Sequence, residues 1–526
     1  MAHNYLIAIG GTGARCLEAF VYLAAAGLTN NSAFDLLIVD ADQNNGNGSI
    51  SNQLIGNYIA LQNLAQPAAP RHKRGTGLGK HRLSNPVLFQ SQLNRGRVND
   101  TRWKNPNSAD LKFGQLIKYG DQPKELQGFL NLFYAPNELT LALRDGYIGK
   151  PNIGSVALKQ ALQGSILQGS SIYDFFKSLN SDLQSGESRI FVFGSVFGGT
   201  GAAGLPTIPA LIENLPDSGV IARENRERLR YGCAMLAPYF TFPRRAGNGS
   251  DPETDSAKHA IATQAALLHY AQNPPNYQHV YLMGDPLRPM TNTRHVSGGE
   301  EQANSPHYIE MVAALAAIDF FSLPAIAADT RQLHYADTSK QKQEDRGVDW
   351  DTLPVSPFRA HEREHVKARL TSFTTFAYLF EHLLYEPFVN HQVYKNANWY
   401  LKNFRDLTLE DQDTELGLLF QFVSSYNRWL REMGPTCQKD GDEARLFNWN
   451  AFEDGYNDDV RRSNLGNLIP AIAPPKSAEV GWERILEVLS SIRIAPPLPN
   501  SATGLLIYLL NEAVTQYCQK NYLFRT

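Results

Sequence analysis

The sequence predicts an α/β protein: a parallel, helix-covered sheet over its first two thirds, followed by a mainly helical C-terminal region. Short apolar runs that end in glycine or aspartate alternate with helical stretches up to about residue 335, as strands buried on both faces by crossover helices do. After about Pro354 strand-like runs nearly vanish, and segments with apolar residues at helical spacing take over. Two strand-to-helix junctions, "GGTGA" near the start and "GGTGAAG" in mid-chain, carry more glycine than a tight turn needs.

The first strand, "NYLIAI", runs into glycines and a helix through Ala26, and "FDLLIVD" forms the second. Between about Gln43 and Glu187 the pattern loosens into Asn, Gln, Gly and Arg with short helical pieces, so this stretch is expected to be an elaborated insertion. "SRIFVFG" and a helix from about Thr200 to Asn214 repeat the strand-helix unit. "YGCAMLAPYF", a helix across Asp255 to Ala271, "HVYLMG" and a helix from Pro306 continue it. Beyond Pro354, "HEREHVKARLTSFTTFAYLFEHLLYEPF", "TELGLLFQFVSSYNRWLREM", "GWERILEVLSSI" and "GLLIYLLNEAVTQYCQKNYL" read as amphipathic helices, the last of them separated by proline-rich turns. The chain is expected to divide into an α/β domain over 1–335 and a helical region over 336–526.

At 526 residues the chain is too long for one ordinary core, and 43% apolar residues suffice to build two or three. The near balance of 49 basic and 52 acidic residues lacks the electrostatic footprint of a general nucleic-acid binder. Four dispersed cysteines without CxxC spacing fit a reducing cytoplasm, and the start of the chain shows no basic leader or cleavage site. The most lipid-like run, Met311 to Ala328, is broken by Asp319, Ser322 and Pro324, which predicts a buried helix rather than a membrane span.

In a parallel sheet, ligands bind at the carboxyl ends of the strands, and both glycine runs fall there. Free N–H groups at a helix start attract phosphate, so two such loops predict one phosphate-bearing ligand held from two sides. A Rossmann dinucleotide site is one alternative, with Asp40 or Asp42 for the ribose. However, the third glycine of that fingerprint falls on Cys16, and such a site needs no second cradle. "RGTGLGKH" departs from a Walker loop at Arg74 and His81. "HEREH", residues 361 to 365, satisfies HExxH, but Arg363 and Glu364 are charged where zinc helices bury apolar residues. It reads as a solvated face, and a third ligand would have to be Glu381 or His382.

Residues 198–204, "GGTGAAG", closely resemble the signature loop of the tubulin/FtsZ superfamily, which wraps the di- and triphosphate of GTP. "AIGGTGARC" is similar to that family's first phosphate loop, "LIVDADQNN" to its second, "MLAPYFTFP" to the strand and loop approaching the ribose, and "MGDPL" to the loop reading the base. "SPHYIEMVAALAA" resembles the start of its central helix. The resemblance covers roughly residues 3 to 335. It implies a GTP- or GDP-binding module with Mg2+, a filament former or a switch. Gly10, Gly11, Gly13, Gly198, Gly199 and Gly201 would hold phosphates, Thr12 and Thr200 would add hydroxyl donors, Asp42 would sit on the metal side, and Tyr308 would stack on the base. It implies self-association too, with the helical region free to dock a protein partner.

Departures from the family pattern carry their own expectations. Phe197 and Ala203 replace the signature's outer glycines, and Gly284 and Val312 stand where the family reads guanine with asparagines. Asp285 lies beside the first of these and can accept from a guanine N–H. The family's catalytic loop, which acts on the next subunit's nucleotide, best matches "AADTRQ", with Asp329 at its middle aspartate and Gln332 at its catalytic acid; a second register ends at Asp337. Glutamine orients a water but cannot take its proton, so hydrolysis is expected to be slow or absent. A structural or interaction protein on the same fold, and a dinucleotide-dependent oxidoreductase, are the alternatives.

Overall fold

A computed structural model describes residues 3–66, 88–94, 101–107, 110–143, 146–147, 149–167, 170–214, 221–241, 256–285, 290–291, 299–324, 330–337, 360–385, 398–404, 413–437, 482–492, 499 and 501–521. In chain order the strands are β1 (His3–Ile9), β2 (Ala33–Val39), β3 (Gln92–Leu93), β4 (Ser188–Ser195), β5 (Leu229–Leu236), β6 (Phe240–Thr241), β7 (His279–Gly284), β8 (Met290–Thr291) and β9 (Gln332–Asp337). Seven form one sheet in the order β3-β2-β1-β4-β5-β7-β9 with every neighbouring pair parallel, while β6 and β8 pair separately.

The period of two along the strands sorts side chains between two cores. On β1, Leu6 and Ala8 join one core while Tyr5, Ile7 and Ile9 join the other; on β4, Phe191 and Phe193 oppose Ile190 and Val192. The first face is covered by α1 (Gly10–Ala25) and α2 (Gly46–Ala65). The short helices α3 (Phe113–Leu116), α4 (Lys124–Leu130) and α5 (Pro136–Leu139) follow. The second face is covered by α6 (Pro151–Leu167), α7 (Ser171–Ser185), α8 (Gly199–Asn214) and α9 (Ser256–Gln272). α10 (Tyr308–Ser322) returns to the first face and is buried along almost its whole length. The result is a three-layer α/β arrangement, as the sequence predicts.

The C-terminal residues are mainly helical: α11 (Ala360–Leu379) running into a π-helical turn (Phe380–Leu384), then α12 (Asn398–Asn403), α13 (Asp413–Met433), α14 (Trp482–Ser491) and α15 (Ala502–Asn521). They do not form a core of their own. Tyr22 of α1 meets Phe422, Tyr426 and Trp429 of α13 at ring-centroid distances of 5.7, 5.4 and 5.1 Å, and one apolar cluster runs from β1 through α1 and α2 into α15.

Two expectations differ from what is observed. The stretch expected to be an insertion contains α2, α6 and α7, which cover the sheet itself. α2 escapes notice because its buried side includes Gly46, Asn47, Gly48 and Ser51 before the apolar Leu54, Ile55, Tyr58 and Leu61 begin. β9 also goes unread: its apolar Leu333 and Tyr335 are exposed, while the inward residue is His334, stacked on Tyr281 at 4.2 Å.

Candidate functional site

From β1 the sheet grows to one side through β2 and β3 and to the other through β4 and β5, so the strand order reverses between β1 and β4. A crevice opens at such a reversal, outside the carboxyl ends of the two strands. Both glycine loops occupy it. Gly10, at φ +67°, starts α1 directly after β1, and a Cβ there would lie 3.4 Å from Thr200 Cβ and 3.6 Å from Gly201 N. The two loops are therefore in contact. Ile9 caps α1 without a side-chain hydrogen bond, so the cap residue's side chain satisfies none of the first-turn amides of α1. Gly13 lets α1 approach the sheet, since a Cβ would stand 2.8 Å from Phe193 O.

The glycines of the second loop serve packing as well. Gly198 precedes α8, and Gly199, Thr200 and Gly201 form its first turn. A Cβ on Gly199 would fall 2.8 Å from Tyr147 Cβ, and one on Gly201 2.7 Å from Ser195 O. Protein atoms, rather than an incoming ligand alone, exclude side chains here.

A third glycine segment joins these two, and the sequence reading misses it. Gly146, at φ +79°, places a would-be Cβ 3.7 Å from Asp42 Cβ and 3.8 Å from Thr200 Oγ1. Its signal is "GYIGKPNIG", with glycines before and after a proline at the start of α6. It stands inside the stretch taken for an insertion.

Two carboxylates close the floor. Asp40 is buried and accepts from Asn45 Nδ2 at 3.0 Å, from Asp42 N at 3.2 Å and from Thr200 Oγ1 at 3.4 Å. Burial and the neighbouring Asp42 charge push its carboxyl up to about 7, against those donors and Arg102. Asp42 accepts from Asn44 N at 2.9 Å and Gly299 N at 2.7 Å, so residues 299–304 lie across the start of α2. Oxygen donors of this kind suit Mg2+.

Below the mouth, Arg15 of α1 makes a two-pronged ion pair with Glu310 of α10 at 2.6 and 2.9 Å, both side chains buried. Burial disfavours the Arg15 charge, but Glu310 more than compensates and holds its pKa above the usual value. Tyr239 donates to the same carboxylate at 2.8 Å. The pair ties α1, which begins at the first glycine loop, to α10.

The remaining predicted residues lie elsewhere. Tyr308 opens α10 with no exposed surface, and its hydroxyl donates to buried Asp285 just past β7. Stacking on a base therefore requires that contact to open. Gln332 begins β9 opposite His279, at the amino end of the sheet, and Asp337 ends it opposite Gly284, at the carboxyl end. The two registers for a catalytic acid are thus at opposite ends of one strand, and neither meets the glycine loops of its own subunit. Asp329 lies outside the described residues.

"HEREH" falls at the start of α11, where the side chains of residues 361–364 lie outside the described residues, while His365 is solvent-exposed. His382 is 17 residues beyond His365, on the order of 25 Å along a helix. Neither it nor Glu381 can supply the third ligand. Among the described residues no group of three or more His, Cys, Asp or Glu side chains is placed to hold a metal, and no helix is long and apolar enough to cross a membrane.

No family model and no curated protein matches the chain. Among solved structures it is similar to CetZ from Methanosaeta thermophila, a tubulin/FtsZ-family protein, at 12% identity with a TM-score of 0.28. The match covers 62% of this chain and 57% of that one, a little over half of the CetZ chain's length. A likeness this weak carries no functional argument; the loop geometry does.

Proposed function

We propose that the chain is a tubulin-like nucleotide-binding protein that holds the phosphates of a guanine nucleotide, GTP or GDP, in the crevice between β1 and β4. The contact of Gly10 with Thr200 and Gly201 carries this reading, because it converges two helix N-termini on one point at the strand-order reversal. Gly11, Gly198 and Gly199 complete the cradle, with Gly13 setting α1 close against the sheet, Thr12 and Thr200 offer hydroxyls, and Asp42 with Asp40 offers oxygen ligands to a phosphate-bound Mg2+. A dinucleotide-binding enzyme shares the reversal but has no use for the second cradle at α8. Turnover is slow or absent, since Gln332 has no usable basicity and stands at the far end of the sheet. Any acid acting on the nucleotide comes from a neighbouring subunit, which makes self-association part of the proposal.

One observation favours a second reading, a structural or interaction protein on this fold without nucleotide: the base platform, Tyr308 and Asp285, is closed by its own hydrogen bond. Chromatographic identification of whatever small molecule is released from purified protein separates the readings. Guanine nucleotide supports the first and an empty protein the second, while nicotinamide or flavin would replace both with a dinucleotide enzyme.

A further inference from the structure

We propose that Asn47, which neither the glycine pattern nor the acidic pair points to, is a phosphate-binding residue that donates its side-chain amide to the ligand at the first turn of α1. The proposal rests on the nucleotide reading above.

Asn47 is the second residue of α2 and is buried, at 2% exposure. Its Oδ1 accepts from Asn304 N at 3.0 Å, which assigns the oxygen and leaves Nδ2 on the opposite side. Nδ2 is fully buried and has no hydrogen-bond partner among the described residues. It stands 3.0 Å from the position a Cβ on Gly11 would take, so it faces the turn where α1 leaves its own first amides uncapped. A buried donor left unmade is unfavourable, and it is tolerated where a ligand completes it.

Neighbouring groups narrow the choice. Asn45, the N-cap of α2, has both side-chain atoms engaged: Oδ1 accepts from Asn47 N, while Nδ2 donates to Asp40 and Gln302, each at 3.0 Å. The first amides of α2 are also used, Gly46 N by Gly299 O at 3.2 Å and Asn47 N by Gln302 O at 3.1 Å. The donor left over beside Gly11 is the Asn47 amide. Neither α1 nor α2 has an acidic residue in its first turn, so the two helix dipoles favour an anionic acceptor at this point, against the Asp40 and Asp42 carboxylates on the loop before α2. In a nucleotide cradle that acceptor is a phosphate oxygen.

The test is calorimetry on the nucleotide-stripped full chain with Mg2+, using GDP, guanosine and inorganic pyrophosphate as probes. Asn47→Asp keeps the oxygen that accepts from Asn304, removes both donors and places a charge against the phosphate. It should weaken GDP and pyrophosphate by at least about 10-fold and change guanosine little. Asn47→Ala should weaken the same two probes by a smaller factor, and it decides the matter if the aspartate variant fails to fold. On the wild type, the 15N-labelled Asn47 side-chain amide should shift with pyrophosphate and not with guanosine, which requires no variant. Unchanged GDP and pyrophosphate affinity in both variants, or an equal loss for guanosine, overturns the role of Asn47 while the nucleotide reading stands. A wild type that binds neither GDP nor pyrophosphate removes the reading itself, and the role of Asn47 with it.

Discussion

At the scale of the residue, Asp40 is a strongly perturbed carboxyl beside the glycine loops, and its environment makes a signed prediction. Its ordinary value of 3.8 rises to about 7 by burial first and by the Asp42 charge second. Between about pH 4 and pH 7 the folded chain holds this proton more tightly than the unfolded chain. The Asp40 contribution to stability therefore declines as pH rises through that window and is level above it. Asp42→Asn removes the like charge, so carboxyl-resolved NMR should show Asp40 titrating below its wild-type position; an unmoved titration would leave burial as the whole cause. The glycines offer a second test. Gly199→Ala forces a Cβ to within 2.8 Å of Tyr147 and should lower stability by about 1–3 kcal/mol in urea unfolding. Gly56→Ala, at an exposed position of α2 with nothing within 4 Å, should raise it by about 0.5–1 kcal/mol. That the chain needs glycine at 10–13 and 198–201 is legible in the sequence. Why it does so at 199 is not, because Tyr147 comes from a segment with no strand or helix pattern of its own.

At the scale of the element, α8 starts at the second glycine loop and runs on despite Pro206 and Pro209 inside it. Each proline lacks an N–H, so the carbonyls four residues earlier, Ala202 and Leu205, lose their helical partners. Two buried tyrosines replace them: Tyr270 of α9 donates to Ala202 O, and Tyr277, ahead of β7, donates to Leu205 O at 2.6 Å. The helix from about Thr200 to Asn214 is readable from its apolar spacing, whereas the repair of its ladder depends on residues some seventy positions later. Tyr277→Phe should cost about 1–2 kcal/mol by denaturant unfolding. Pro209→Ala restores an N–H for Leu205 O, so in the double variant most of the tyrosine's effect should vanish. A cycle with no coupling would mean that the hydroxyl acts elsewhere. β9 shows the opposite case of an element hidden by its own pattern, since its solvent-facing residues are the apolar ones and its packed residue is a histidine.

At the scale of the whole molecule, the boundary near 335 marks a change of element type and not a break in packing, because Tyr22, Tyr58 and Phe89 of the α/β half share ring contacts with Phe422 of the helical half. Amphipathic periodicity shows that the C-terminal helices bury a face, but it cannot name the surface that receives it. The sheet's polarity gives the last prediction. The glycine loops lie at the carboxyl ends of β1 and β4, whereas Gln332 lies at the amino end of β9, five residues and roughly 17 Å along the strand from Asp337. Within one subunit Gln332 cannot reach the cradle. If the proposed nucleotide is bound and subunits associate, only a head-to-tail contact, with amino ends on carboxyl ends, would bring Gln332 to a neighbour's cradle. Wild-type protein should then release phosphate from GTP slowly at every concentration, since a positioned base is commonly worth about 10²- to 10⁴-fold and glutamine is none. Gln332→Glu should raise the rate per subunit at least about 10-fold, and only at concentrations where subunits meet. Asp337→Ala should leave the rate unchanged, because its backbone sits at the cradle's own end of the sheet with β5 and β7 between it and β4. Brisk wild-type turnover abolished by Asp337→Ala would move the acid to that end of β9, and turnover indifferent to concentration would dismiss the subunit contact altogether.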